Sequence, residues 1–469
     1  MEKRIMNKPE VSSGSPAFSR GGVNLLEGDV ARTLWKLTGP MILAMFAMVA
    51  FTLVDTMYVG RLGKEELAAM SFTFPVIFFF VGMTLGIGIG AASIISRTIG
   101  AGESGKAARL SFDALVLAML IAIIVTSIGM MTIDPLFSAL GAEDDILPLV
   151  KEYMSIWYFG MPVVVIPMIG NNIIRATGDT KTPMKIMLAS VMTNIVLDPL
   201  LIFGPGPFPE LGLSGAALAT VVSRTIAMSL SLHVLVNKKK LVTWEGINLQ
   251  EMLISWKQIL HVGAPTAFVN VLIPISKGII TAMVAGYGVN EVAGYGAATR
   301  IEALVIMPIM AFCGVMVPFI GQNMGAGKNE RIREAVKIGL KVSVVFGIVV
   351  YTILALTANF SARLFNDDPD VVHTYVNYIR YAGIGWMLLG MNFLTVNIFN
   401  AKGKPLPSTV LTLTRIFVLM IPFAFVGSMV YDMHGLFFGI AIANMFAALI
   451  SVLWLKRMFR SIKDGVVRT

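Results

Sequence analysis

The chain has 469 residues, of which 56% are hydrophobic and only 14% charged, and its mean hydropathy is +0.77. Soluble domains carry roughly 25% charged residues, so a soluble globular fold is excluded and lipid must be the main solvent. The formal charge of +9 is gathered in alternate loops, a pattern that points to membrane orientation rather than to nucleic-acid binding.

Apolar runs of about 20 residues recur along the whole length, which is what a helix needs to cross a bilayer. Short alternating segments of the membrane β-barrel type are not found. In chain order, residues 1–32 are polar ("EVSSGSPAFSRGG"), hold no cleavable signal peptide and read as a flexible cytoplasmic tail. Spans are predicted over 33–59, 68–98, 107–133, 147–174, 183–203 and 212–236. After a linker at 239–255 they resume over 256–285, 292–323, 336–360, 372–400, 406–430 and 435–456, with a second tail at 457–469. The expected fold is therefore all-α and integral to the membrane, with 12 transmembrane helices in two six-helix bundles, 33–238 and 256–456.

The loops alternate in charge. "GAGESGKAAR", "RATGDTKTPMK", "NKKK", "GKNERIREAVK", "AKGKPLP" and "KRMFRSIK" are basic, whereas "ALGAEDDI", "GPGPFPELG", "GYGVNEV" and "NDDPD" are acidic or neutral. Both termini are expected in the cytoplasm, which an even number of spans also requires.

A constant offset of 225 positions brings the two halves into register. "GAG" at 100–102 falls on "GAG" at 325–327, Asn172-Ile173 on Asn397-Ile398, Pro40 on Pro265, Gly63 on Gly288 and Glu66 on Glu291. An even number of spans per repeat gives both halves one orientation, so they should be related by a pseudo-two-fold axis along the membrane normal. The acids break this symmetry: Asp55 falls on Ile280, Asp198 on Phe423 and Asn194 on Leu419. The duplicated fold does not need them.

An intramembrane carboxylate is a functional candidate because burying it is costly. Asn194 and Asp198 in "NIVLDP" are four residues apart and share one helix face. Pro199 frees the carbonyl of Ile195, so these oxygens suit a proton or a small cation, with Asp55 facing and Thr220 adding a hydroxyl. Proton and sodium ion are both open at this point. The competing reading places Asp55 and Asp198 at helix ends, capping or facing water. In the second half, Lys277 is expected to pair with Glu302, with Arg300 beside them, because a lone intramembrane lysine is costly.

Enzymatic chemistry is not indicated. The four histidines lack metal-ligand spacing, no Walker-type loop is present, and Cys313 is the single cysteine, so neither cofactor nor structural metal is expected. "GIGIG" has no nucleotide-binding context and reads as helix packing. Most of the 31 methionines read as lipid-facing or packing residues, while those in "MILAMFAM" and "MKIMLASVM" suit a cavity that accepts varied lipophilic guests.

The motifs "DTMYVGRLGKEELAAMSF", "IIRATGDTKTPM", "GLSGAALATVVS" and "VPFIGQNMGAG" resemble the multidrug and toxic compound extrusion (MATE) family, over about Thr33 to Trp454. The resemblance implies two six-helix bundles forming a V-shaped cavity in the inner membrane, and a monomer exporting organic cations or amphipathic drugs against proton or sodium entry. It implies coupling at Asp55, Asn194 and Asp198 with Thr220, and a polar cavity position at Asn171. It also implies a substrate cavity lined by Met41, Met45 and Met187. The second half lacks acids in the seventh and tenth spans, which favours the DNA-damage-inducible and archaeal-type branch and proton coupling. A sodium-coupled exporter and a lipid-linked precursor flippase of the same superfamily are the alternatives.

Overall fold

The computed structural model describes residues 22–244 and 247–463; the predicted tail up to 21 and residues 245–246 and 464–469 lie outside the described residues. All regular structure among the described residues is helical. The first half comprises α1 (Val30–Val59), α2 (Lys64–Gly100), α3 (Ser104–Ala139), α4 (Leu147–Phe159), α5 (Met161–Ala176), α6 (Lys181–Phe203) and α7 (Gly212–His233). The second comprises α8 (Leu249–Ala285), α9 (Val289–Gly325), α10 (Asn329–Arg363), α11 (Pro369–Tyr381), α12 (Trp386–Ala401), α13 (Pro405–Leu413) and α14 (Ile421–Lys463). A π-helical turn, Thr414–Met420, joins the last two.

Ten helical runs are long and apolar enough to cross a membrane, eleven if α4 and α5, bent by 50°, form one broken span. Pro162 explains the bend: it has no N–H to give the Tyr158 carbonyl one turn back, and the Thr126 hydroxyl donates to that carbonyl instead, at 2.8 Å. The run Pro405–Arg460 has 56 residues. As one helix it would extend roughly 80 Å, against a hydrocarbon core of about 30 Å. It reverses at Tyr431 and Asp432, where φ/ψ are −146°/40° and 47°/−141°. Gly427 then packs on the backbone of Gly435, and Gly439 on that of Phe423. Divided there, this run supplies two helical arms among the described residues.

Helix ends fall slightly outside the sequence boundaries. Asp29 caps α1, its Oδ1 accepting from the Arg32 amide at 2.7 Å, so the helix starts at Val30 rather than at 33. Residues before it are bound to the bundles: the Val23 amide donates to the Gly178 carbonyl at 3.0 Å, and Leu25 is buried. The linker is shorter than expected because Asn248 caps α8. It is tied down by Lys239, whose Nζ lies 3.0 Å from Asp179 with both side chains buried.

The repeat is visible in backbone geometry. Gly102 and Gly327 have φ of 80° and 71°, and Gly178 and Gly403 have 83° and 67°, a region that disfavours any residue with a Cβ. The halves also exchange contacts: α2 packs along α8 while α9 packs along α1. A Cβ at Gly100 would overlap the Gln322 backbone, and one at Gly325 the Arg97 backbone. These are the reciprocal contacts of a pseudo-two-fold axis.

Nearly all of these contacts lie at one end, which carries the basic loops and both described termini; it is called the basic end below. Asn270, Ala267 and Gly263 of α8 pack on Gly82, Gly86 and Gly90 of α2, and a methyl at Gly86 or Gly90 would overlap the α8 backbone. Hydrogen bonds close the seam: Ser93 Oγ to Asn400 O (2.5 Å), Gln322 Nε2 to Ala176 O (2.7 Å) and Trp256 Nε1 to Asp113 O (2.9 Å). Toward the acidic end the same α8 face is exposed, so the bundles part and a cleft opens between them.

Gly90→Val should force the basic ends apart. Spin labels at Ser104 and Asn329 should report a longer distance in the variant, and an unchanged distance would count against glycine-limited closure. Asp179→Ala removes the carboxylate facing buried Lys239 and should cost about 3–5 kcal/mol of stability, read by thermal or denaturant unfolding in detergent.

Candidate functional site

The first-half acids lie on α1 and α6, each five residues or fewer from the helix end that faces the acidic side. α6 continues unbroken through Pro199 and stops at Gly204, whose φ of 60° ends the helix. Asn194 Nδ2 donates to Asp198 Oδ1 at 2.9 Å, the i, i+4 contact that the sequence spacing predicts. Both side chains are fully buried and Asp55 is 5% exposed, so neither acid is a cap or a water-facing group.

Asp55 lies near enough to Asp198 for the two carboxylates to interact electrostatically. One oxygen of each, and Asn194 Oδ1, have no hydrogen-bond partner. Buried polar atoms are nearly always paired, so three orphaned oxygens in one layer form a place for a proton or a small cation. No group of three or more His, Cys, Asp or Glu side chains among the described residues has the arrangement of a metal centre.

Thr220 on α7 is buried at about the depth of Asn194. Its carbonyl accepts from Ser223 Oγ at 2.8 Å, and the Ser223 carbonyl accepts from Ser190 Oγ of α6 at 3.1 Å, which clamps the two helices. Asn171 is not brought to the acids. It is buried on α5 five residues from the basic end, several turns away along the bundle, with its own Oδ1 unpartnered.

The three methionines differ in their contacts. The Met41 methyl packs on Gly314 of α9, inside the seam between the bundles. Met187 joins Ala47, Phe51 and Val191, and its sulfur accepts from Arg224 Nη1 at 3.8 Å. Met45 is half-buried.

The expected Lys277–Glu302 pair is not formed. Glu302 Oε2 accepts from the Tyr378 hydroxyl at 2.5 Å, and the cation that feels its charge is Arg415 in the π-helical turn. Lys277 is exposed and makes no ion pair with Glu302. The reason is angular. Gly263, Ala267 and Asn270 form the α8 face that meets α2, and Lys277 lies two turns further along that face, where the cleft is open. Arg300 is likewise exposed, on the α9 face that meets Met41 at Gly314. Both cations therefore line the second-bundle wall of the cleft.

Sequence reasoning missed Tyr153 on α4, which is buried and close enough to Asp55 and Asp198 to interact with both. Nothing in "KEYMSIWYFG" distinguishes it from a packing aromatic. Another buried acid, Asp113 on α3, is likewise not singled out by the sequence; its Oδ2 is unpartnered, and it lies toward the basic end, away from this pair. The guanidinium of Arg224 sits 5.0 Å from the Phe51 ring centroid, a cation–π contact that no spacing rule reveals.

Two reciprocal helical bundles, parted at one end and carrying the buried acids in only one half, define a multi-pass membrane transporter. The chain belongs to the MATE family: the MatE family model matches residues 40–200 and again 265–426, once per half. The chain is similar to an FAD transporter of Shewanella oneidensis, 36% identical over 445 residues, covering 95% of this chain and 98% of that one. It is also similar to the multidrug export protein MepA of Staphylococcus aureus, 26% identical over 433 residues, with 91% and 94% covered. Among solved structures, a MOP superfamily transporter from Pyrococcus furiosus superposes with a TM-score of 0.86 at 28% identity, covering 94% of this chain and 98% of that one. That protein is described by the reverse polarity of its binding pocket, suggesting a different function.

Lys277→Gln should change thermal stability by less than about 0.5 kcal/mol, the range of surface substitutions. Glu302→Ala strips Tyr378 of its acceptor and Arg415 of its counter-charge, and should cost about 2–4 kcal/mol. Unfolding of the purified variants in detergent distinguishes the two, and equal losses would restore the Lys277 pairing.

Proposed function

We propose that this chain is a secondary active antiporter that exports amphipathic organic compounds, driven by proton entry and coupled at Asp55 and Asp198. The observation that carries this reading is the Asn194–Asp198 hydrogen bond beside Asp55, with an unpartnered oxygen on each acid, in one half only. The basic end is placed in the cytoplasm of the inner membrane with both termini, following the charge of the loops. In the state described here the bundles are closed at that end and open to the outside.

Two like-charged carboxylates buried together favour taking up a proton from the open side. Protonation removes their repulsion and the need to hydrate them. That gives the state closed around the acids a differential stability, which is what a coupling ion must supply. A sodium ion held by the same oxygens would do this by charge neutralisation instead.

A second reading concerns the substrate. Lys277 and Arg300 give the cleft wall positive charge, and the acids that would balance it are buried in the other bundle. This favours an anionic, aromatic compound such as the flavin dinucleotide handled by the Shewanella relative over a simple organic cation.

The test is uptake into proteoliposomes of FAD and, separately, of a fluorescent organic cation, under an imposed pH gradient and then a sodium gradient. Transport should follow the pH gradient, and Asp198→Asn or Asp55→Asn should lower it tenfold or more, about 1.4 kcal/mol or greater. Transport that follows sodium keeps the site and changes the ion. If both variants couple normally, the coupling role of the acids is wrong. Uptake of FAD with a KM raised in Lys277→Gln supports the flavin reading, and uptake of the cation alone removes it.

A further inference from the structure

A cavity of about 800 Å³ lies away from the acids. It lies at the basic end on the seam between the bundles. Arg97 and Lys106 come from the first bundle, and Lys257 and His261 from the second. Ile94, Ile254 and Val262 give it an apolar floor, and the single acid, Glu103, is held by Lys106 at 3.0 Å. Lys257 and His261 make no ion pair among the described residues. Arg97 Nη1 donates to the Lys402 carbonyl at 3.3 Å, which brings the loop holding Lys402 and Lys404 to the rim. Burial first, and then Lys404, push the Lys402 ammonium below its ordinary range.

The pseudo-two-fold axis supplies a comparison inside the same molecule. The offset of 225 carries Arg97 to Gln322, Lys106 to Arg331 and Gly403 back to Gly178. At that second position the space is filled by the chain itself, residues 23–28. Arg331 donates to the carbonyls of Gly28 (2.6 Å), Glu27 (3.1 Å) and Leu25 (3.2 Å). Lys328 Nζ donates to the Leu26 carbonyl (2.8 Å) and Asn323 Nδ2 to that of Leu25 (3.0 Å), while the Leu25 side chain is buried on the apolar floor. One of the two related positions thus binds a ligand that offers several oxygens above an apolar group. The other is lined by Arg97, Lys257 and His261, none of them in an ion pair among the described residues, and no described segment enters it.

We propose that the cavity lined by Arg97, Lys106, Lys257 and His261 binds a phosphate-bearing anion, which bridges the two bundles and holds the basic end closed. Cations from both bundles face one another across a closed seam, so their repulsion opposes closure until an anion sits between them. The phosphate has two possible sources, an acidic phospholipid whose chains lie on the apolar floor or a free phosphate compound. Basic pockets between membrane helices are suited to the first. This site is separate from the acids and does not rest on the transport reading above.

The experiment is a pair of binding measurements on the purified full chain. Native mass spectrometry compares retention of phosphatidylglycerol with that of phosphatidylcholine, and calorimetry in neutral detergent titrates inorganic pyrophosphate. The wild-type chain should bind at least one anion. Lys106→Gln/Lys257→Gln should weaken it tenfold or more, since each removes a charge-assisted contact to the anion. Ile254→Trp, which fills the cavity without altering charge, should weaken it too, and Lys151→Gln at the other end of the molecule should not. Selective retention of phosphatidylglycerol alone assigns a lipid, and pyrophosphate binding assigns a free phosphate. If the wild type binds neither anion, or if the double variant and Ile254→Trp both bind as the wild type does, the proposal is overturned.

Discussion

The close approach of α2 to α8 and α9 is the constraint on which the remaining arrangement depends. Without a hydrophobic driving force between helices in lipid, association relies on packing, and packing at backbone distance requires glycine. Gly86, Gly90, Gly100 and Gly325 supply it at one end only. Because the seam closes there, the helices diverge toward the other end, and the cleft, its basic wall and the acid-bearing layer follow from that divergence.

The acids exploit the first bundle alone. α6 and α7 are clamped by the serine bonds from Ser190 and Ser223, and α1 lies against α6, so Asp55, Asn194 and Asp198 are brought together by helices of the first half. In the second half the equivalent turn of helix is π-helical and carries Arg415, and the local acid, Glu302, is hydrogen-bonded to Tyr378. One duplicated scaffold thus carries buried acids with unpartnered oxygens in one copy and an acid hydrogen-bonded to a tyrosine in the other.

Tertiary contacts also explain why Lys277 was assigned the wrong partner. An intramembrane lysine is expected to find an acid, and Glu302 lies in the following span. The open cleft removes the penalty that made a partner necessary, and Glu302 is occupied by Tyr378 from a helix more than seventy residues away. Asn171 lies apart from the acids for a related reason. Its helix runs antiparallel to α6, so the two polar residues, both near helix ends, lie at opposite depths.

The sequence by itself determined the class, the span pattern, the repeat and the Asn194–Asp198 contact, because each depends on composition, on periodicity or on a four-residue spacing along one helix. Hydropathy is local, and an offset of 225 is preserved in any fold the two halves share. Tertiary packing settled that the glycines form a one-ended seam, that Tyr153 lies near the acids, that Lys277 faces the cleft and that two symmetry-related positions are occupied differently. Those depend on which faces of separate helices meet, a choice made by packing between residues far apart in the chain, and no short-range pattern encodes it.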